Sequence, residues 1–330
     1  MRTTRQDAPK DPSRKAIYTA LLANCLIAIS KFVAAFWTGS SSMLSEGVHS
    51  LVDTGNELLL LYGLHRAQHS PDAARPLGYG REIYFWSFVV ALLVFALGAG
   101  AAFLQGIMHI AKPRPIEDAY VNYIVLATAF LFEGASWWVS FVEFRKQKGP
   151  AGYFETFRRT KDPTSFMVLF EDSAALIGIM IAIAGTWAAT TFDLPALDGV
   201  ASILIGLVLG TTAVLLAQET KSLLMGESAD PEVVRALIDT ALAESAVVTV
   251  NGVITVHIGP SQVLVAMSLE FADDLNTADI EARVAEIEDR IHALHPEVVA
   301  LFVKPQTSSR YLQSRQRRFG IGKSSTGTGS

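Results

Sequence analysis

Long runs without a charged side chain alternate with short polar clusters along this chain. Ile83–Ala111 covers 29 positions with no Lys, Arg, Asp or Glu, and Ser173–Phe192 and Gly199–Gln218 cover 20 each. A helix needs about 20 apolar residues to cross a bilayer core of roughly 30 Å, so each run predicts a membrane span. With the interrupted runs they predict six helices, near 16–38, 43–64, 83–110, 119–143, 164–190 and 197–217. The pattern changes after Gln218. Asp230 before Pro231 reads as a helix start running to about Glu244. Val247–Ile258 and Gln262–Phe271 are rich in β-branched residues around a Gly259-Pro260 turn, which predicts paired strands. An amphipathic helix over Thr277–Ala293 and a strand over Val298–Val303 complete an α-β-β-α-β order. The predicted fold class is therefore an all-α six-helix transmembrane bundle followed by a small ferredoxin-like α+β domain. The boundaries are 1–15 for an N-terminal segment, 16–217 for the bundle, 218–305 for the second domain and 306–330 for a disordered basic tail.

Composition agrees with that division. Of 330 residues, 50% are hydrophobic and 18% charged, where soluble domains run nearer a quarter charged. This excludes a soluble enzyme, a nucleic-acid-binding protein and a disordered chain. Residues 219–304 hold 15 acids against 5 bases, and residues 310–330 hold 5 bases and no acid. The first fifteen residues are polar and lack a cleavable-signal pattern. Basic residues set the orientation. The N-terminus and the second and fourth loops hold 14, and the alternate loops hold only Lys112 and Arg114. Both termini are expected in the cytoplasm. A single cysteine, Cys25, excludes an intrachain disulfide or thiolate cluster.

The informative residues are ionisable groups at membrane depth, which are costly there. The second helix carries Glu46, His49, Asp53 and Glu57. His49 and Asp53, four apart, share a helical face and could hold a divalent cation, pass protons or bond to another helix. Glu46 and Glu57 sit nearer the helix ends and read as solvated or paired. In the fifth helix, Glu171 and Asp172 are adjacent and diverge by about 100°, so one reads as a ligand and the other as a pathway or inter-helix group. Lys31 reads as snorkelling or paired with an acid, Asn24 as an inter-helix hydrogen bond or a cavity-lining group, Glu133 as a structural or pathway group, and Asp198 as the cap of the sixth helix.

The stretch SSSMLSEGVHSLVDTGNELLLLYG and the following RPLGYGREIYFWS resemble the second helix and cytoplasmic connection of the cation diffusion facilitator family. The resemblance covers roughly residues 14–305. It implies a homodimer in a bacterial inner membrane, each protomer exchanging Zn²⁺, or Mn²⁺, Fe²⁺, Co²⁺ or Cd²⁺, for H⁺. It also implies transport-site ligands at His49, Asp53 and Asp172. The family's fourth ligand position falls on Val168, which cannot coordinate, and FEDSAALIG is similar to a subgroup with a Glu-Asp pair there, so Glu171 or water is expected to complete the shell. Phe302 and Lys304 stand where relatives carry His and Glu, so no metal site is expected in the second domain, despite His257, His292 and His295. The expected function is proton-coupled metal efflux. A non-transporting metal sensor or scaffold is the alternative, and enzymatic activity is not expected, since no HExxH helix is present.

Overall fold

A computed structural model describes residues 13–148, 152 and 161–319. The N-terminal segment before residue 13, the basic positions Arg158 and Arg159 and the tail beyond residue 319 lie outside the described residues. Six long helices come first: α1 Ser13–Thr38, α2 Ser41–Ala67, α3 Glu82–Ala111, α4 Ala119–Lys148, α5 Pro163–Thr191 and α6 Ala196–Met225. They are followed by α7 Pro231–Leu242, β1 Val247–Gly259, β2 Gln262–Phe271, α8 Thr277–Leu294, β3 Val298–Pro305 and α9 Ser308–Phe319.

The chain divides into two compact units, Met1–Arg66 with Glu82–Lys221, and Ala67–Arg81 with Ser222–Ser330. In the first, α3, α4, α5 and α6 are each long and apolar enough to cross a membrane. Among the described residues the apolar stretch of α1 is Asn24–Thr38, and α2 is interrupted by the ionisable groups named above. A helix that carries a polar site sacrifices hydropathy to do so. Packing between helices depends on small residues. A Cβ on Gly106 would lie 2.6 Å from the carbonyl oxygen of Gly199, and one on Gly206 would lie 3.1 Å from that of Ala99. The α3 and α6 backbones therefore touch, as small-residue seams allow where no hydrophobic effect drives helices together. A π-helical turn at Val94–Ala99 interrupts α3 beside this seam and resets which of its faces meets α6. Phe36, Leu131 and Val139 point outward, each more than two thirds exposed, as lipid-facing side chains should.

Asp198 acts on a different helix from the expected one. It stands in the first turn of α6, yet its carboxylate accepts from the Ser41 N–H at 2.5 Å, the Ser42 N–H at 3.2 Å and the Ser42 and Ser40 hydroxyls. It thus caps α2, satisfying N–H groups that would otherwise be orphaned in a buried helix end. The start of the site-bearing helix is pinned by a residue 157 positions away in sequence.

The second unit is a three-stranded sheet in the order β1-β2-β3, with β1 and β2 antiparallel and β2 and β3 parallel. Val263, Val265, Met267, Leu269 and Phe271 alternate along β2 into a core shared with Leu237 and Ala241 of α7 and Ile287 and Ile291 of α8. Asp230 caps α7 through the Glu232 N–H, with Pro231 at the first helical position as expected. A reciprocal capping box joins Asn276 and Asp279 at the start of α8. Residues 67–81, the connection between α2 and α3, belong to this unit. A Cβ on Gly80 would lie 2.5 Å from the Ile258 carbonyl oxygen, so the loop is seated against the β1–β2 turn.

One expectation is corrected. Ser308–Phe319 was expected to be disordered and is the helix α9. Composition misleads here because contacts hold the segment. The Ser308 hydroxyl bonds to Asn251 and Glu270, and the Tyr311 hydroxyl rests on Gly252, where a Cβ would clash at 2.1 Å.

Candidate functional site

The second helix presents polar atoms to the bundle at a helical rhythm. Glu46, His49, Asp53 and Asn56 are separated by three, four and three residues and so form one stripe. Glu46, His49 and Asn56 are each at most 1% exposed, and the Asp53 side chain is 17% exposed. Each carries a buried atom without a hydrogen-bond partner among the described residues: Glu46 Oε1, both ring nitrogens of His49, Asp53 Oδ1 and Asn56 Oδ1. His49 Nδ1 lies 3.2 Å from Asp53 Oδ2, an i,i+4 contact within ion-pair distance when the imidazole is protonated. More than nine in ten buried polar groups in proteins have a partner. Four consecutive exceptions on one face therefore point to a ligand or a proton rather than to packing.

The fifth helix meets this stripe through Glu171. Asn56 Nδ2 donates to Glu171 Oε1 at 3.1 Å, and Asp53 is the charge that bears most on Glu171, ahead of Asp172 and Glu57. Asp172, rotated by one position, turns toward α4 and accepts from Ser136 at 3.0 Å and Ser140 at 3.5 Å. Its strongest charged neighbour is Glu133 of α4. The adjacent acids thus face two different helices. The acid expected to be the ligand, Asp172, lies on the α4 side, and Glu171 lies on the α2 side. Val168 is half-buried on α5 and offers no donor atom.

Three further groups surround these. Asn24 Nδ2 donates to Glu57 Oε1 at 2.7 Å, which makes Asn24 a link between α1 and α2. Lys31 is buried against Glu46 at 3.1 Å. Glu133 is buried and faces the charges of Lys31, Asp53, His49 and Glu46. Sequence reasoning treated it as a structural or pathway group because nothing local to α4 betrays charged neighbours on α1 and α2. Among the described residues, no three of the His, Cys, Asp and Glu side chains stand close enough together to enclose a metal ion. Asp53 already stands beside His49 at 3.2 Å, while Glu171 meets the stripe one turn further along, at Asn56.

A buried imidazole and carboxylates on facing helices match the chemistry of a dication carrier, and the comparison with known proteins agrees. Residues 17–225 match the family model described as the cation efflux transmembrane domain. The chain belongs to the cation diffusion facilitator family. Among its relatives is metal tolerance protein C4 of Arabidopsis thaliana, 36% identical over 67% of this chain and 49% of that protein. The human mitochondrial proton-coupled zinc antiporter SLC30A9 is 30% identical over 78% of this chain and 46% of its own length. The cation-efflux pump FieF of Cronobacter sakazakii is 23% identical over 86% of this chain and 89% of the pump. The chain spans about half the length of the first two. As a member of this family it carries the cation efflux transmembrane domain, followed by a small three-stranded sheet domain.

Proposed function

We propose that this chain is a proton-coupled antiporter that moves Zn²⁺ out of the cytoplasm, working as a homodimer in a bacterial inner membrane with both termini on the cytoplasmic side. What supports this reading is the α2 stripe, whose orphaned donors include the imidazole of His49 and the carboxylate of Asp53, with Glu171 opposite. In a low-dielectric interior such groups are costly while ionised and unmatched. A dication matches two carboxylates at once, and two protons match them equally well, so exchange of one for the other is the cheapest cycle the site can run. The relatives named as a zinc antiporter and a cation-efflux pump agree with it. His49, Asp53 and Glu171 are the proposed ligands, and Asp172, turned toward α4, is a second proton-carrying group.

A second reading concerns the ion. With Val168 in place of a donor, the set has one imidazole and is otherwise oxygen, which suits Mn²⁺, Fe²⁺ or Co²⁺ better than a two-histidine set would. Both readings face one experiment. Purified protein in vesicles containing a metal-sensitive dye should take up Zn²⁺ when a pH gradient drives it. Asp53→Ala should lower that uptake by more than about a hundredfold, beyond the 10–100-fold typical of groups that only support a ligand. Uptake by Asp53→Ala at the native rate would end the assignment, and a native preference for Mn²⁺ in the same vesicles would select the second reading.

A further inference from the structure

One member of the α2 stripe has a cationic partner. Lys31 of α1 and Glu46 of α2 form an ion pair at 3.1 Å in which neither side chain has any exposed surface. The Lys31 ammonium also donates to Ser50 Oγ at 2.8 Å. Among the described residues, Lys31 is the only buried Lys or Arg. Ser50 follows His49 in the chain, and Glu46 precedes His49 by three, so the pair lies about one helical turn from the imidazole, roughly 5 Å along the axis. The third side belongs to α5. Gly178 packs so closely on Glu46 that a Cβ there would lie 2.3 Å from Oε1. Helices α1, α2 and α5 therefore converge on one ammonium–carboxylate pair beside the ion site.

Charge differs on the two sides of His49. Toward the C-terminal end of α2 stand Asp53 and Glu57, with Glu171 across from Asn56, and the hydrogen-bond partners of Glu57 and Glu171 are neutral amides. Toward the N-terminal end, the next ionisable group is Glu46, and its charge is matched by Lys31. Glu133 of α4 faces both sides, Lys31 first and then Asp53, His49 and Glu46. A dication arriving from the acidic side is attracted as far as His49 and Asp53 and then meets a carboxylate whose charge an ammonium already neutralises.

We infer that the Lys31 ammonium is a resident cation occupying a second cation position, formed by Glu46 and Ser50, and that it closes the ion path on the α2 N-terminal side of His49. A divalent ion leaving His49 and Asp53 must displace the ammonium from Glu46 before it can pass. The Lys side chain suits this task, being a compact charge on a flexible stem. A tie between helices alone would favour a fully satisfied pair, whereas Glu46 Oε1 has no hydrogen-bond partner. The inference rests on the transport reading above.

The test uses the full-length protein in vesicles, with zinc flux followed with and without an opposing pH gradient and zinc affinity measured by calorimetry. In K31M/E46Q both charges are removed with little change in volume. This variant should bind zinc within a few-fold of native yet carry it down its own gradient regardless of pH. K31M alone leaves Glu46 uncompensated beside His49 and should bind zinc about tenfold tighter or more and release it correspondingly more slowly, a change of the size typical of groups around a ligand. Absence of zinc flux in the native protein would remove the transport reading and this inference together. Native flux combined with K31M/E46Q that still follows the pH gradient would overturn the inference alone, as would unchanged zinc affinity in K31M. If melting curves show that the neutral variants do not fold, K31R decides. It keeps the charge on a bulkier head and should slow flux at unchanged affinity, and native-rate flux would count against the gate.

Discussion

The two units treat their buried polar groups in opposite ways. In the sheet domain, Glu244 is buried and faces Arg283 and Arg290. Asn276 and Asp279 satisfy each other's backbone, and Asn251 and Glu270 are tied to the segment around Ser308. Gln262 Oε1 is the exception among its described residues. In the bundle, the α2 N-terminus is just as well satisfied by Asp198, but two turns later the same helix carries the row of orphaned atoms from Glu46 to Asn56. A buried polar group without a partner costs about 1–3 kcal/mol. Selection for stability alone would remove such a row, as it has in the sheet domain and at the α2 cap. The proposed exchange of an ion for protons at this row accounts for its retention.

The strongest test of that contrast lies in the adjacent acids of α5. Glu171 opposes the orphaned row and Asp172 is hydrogen-bonded to serines of α4, so neutralising each should have unequal effects. Glu171→Gln should lower zinc uptake by more than about a hundredfold, and Asp172→Asn by about tenfold, within the roughly 10–100-fold range of groups that only support a ligand. Uptake in vesicles at saturating zinc measures both. If Asp172→Asn is the more damaging, the ion site extends toward α4, and the orphaned row on α2 does not mark its full extent.

Much of this was legible in the sequence, and the limits are physical. Uncharged runs mark α3, α5 and α6 because a bilayer demands continuous apolarity. His49 and Asp53 stand out because a four-residue spacing is a local property of one helix. The strand pair and the Asp230-Pro231 start are local in the same way. Contacts between distant segments are not. That Asp198 would cap α2, that Lys31 would meet Glu46, and that Glu171 rather than Asp172 would turn toward Asn56 each depend on how helices rotate against one another. Close approaches at small residues, such as Gly178 against Glu46, bear on that rotation, and they have no periodic signature. The helix α9 was missed because its order comes from Asn251, Gly252 and Glu270, some 40 to 60 positions upstream.

The satisfied side of the comparison predicts smaller effects that spare transport. Asn276→Ala removes the side-chain acceptor of the α8 capping box and should destabilise the sheet domain by about 1 kcal/mol, visible as a lower melting temperature. Zinc uptake at temperatures well below that transition should match native. A loss of uptake without a shift in melting would mean that this domain takes part in the transport step itself, and the division between a stabilised unit and a working unit would fail.

The smallest effect belongs to the loop of residues 67–81. Asp72 is exposed, accepts from the Ala74 and Arg75 N–H groups at 2.9 and 2.7 Å, and accepts from the Tyr79 hydroxyl at 2.5 Å. The Tyr79 hydroxyl first, and then the Arg75 N–H, hold its carboxyl below the usual aspartate range. Because the folded value is lowered, the contribution is fully present above the unfolded aspartate pKa and disappears as pH falls through the folded value. Solvent screening keeps it slight, so the loop should hold its shape at neutral pH and loosen only on strong acidification. Carbon-13 titration of the Asp72 carboxyl measures this directly. Tyr79→Phe removes the largest cause and should move the midpoint up toward the ordinary range. A midpoint that does not move would assign the shift to the backbone N–H groups alone, and the loop would then be a self-contained turn with no need of its tyrosine.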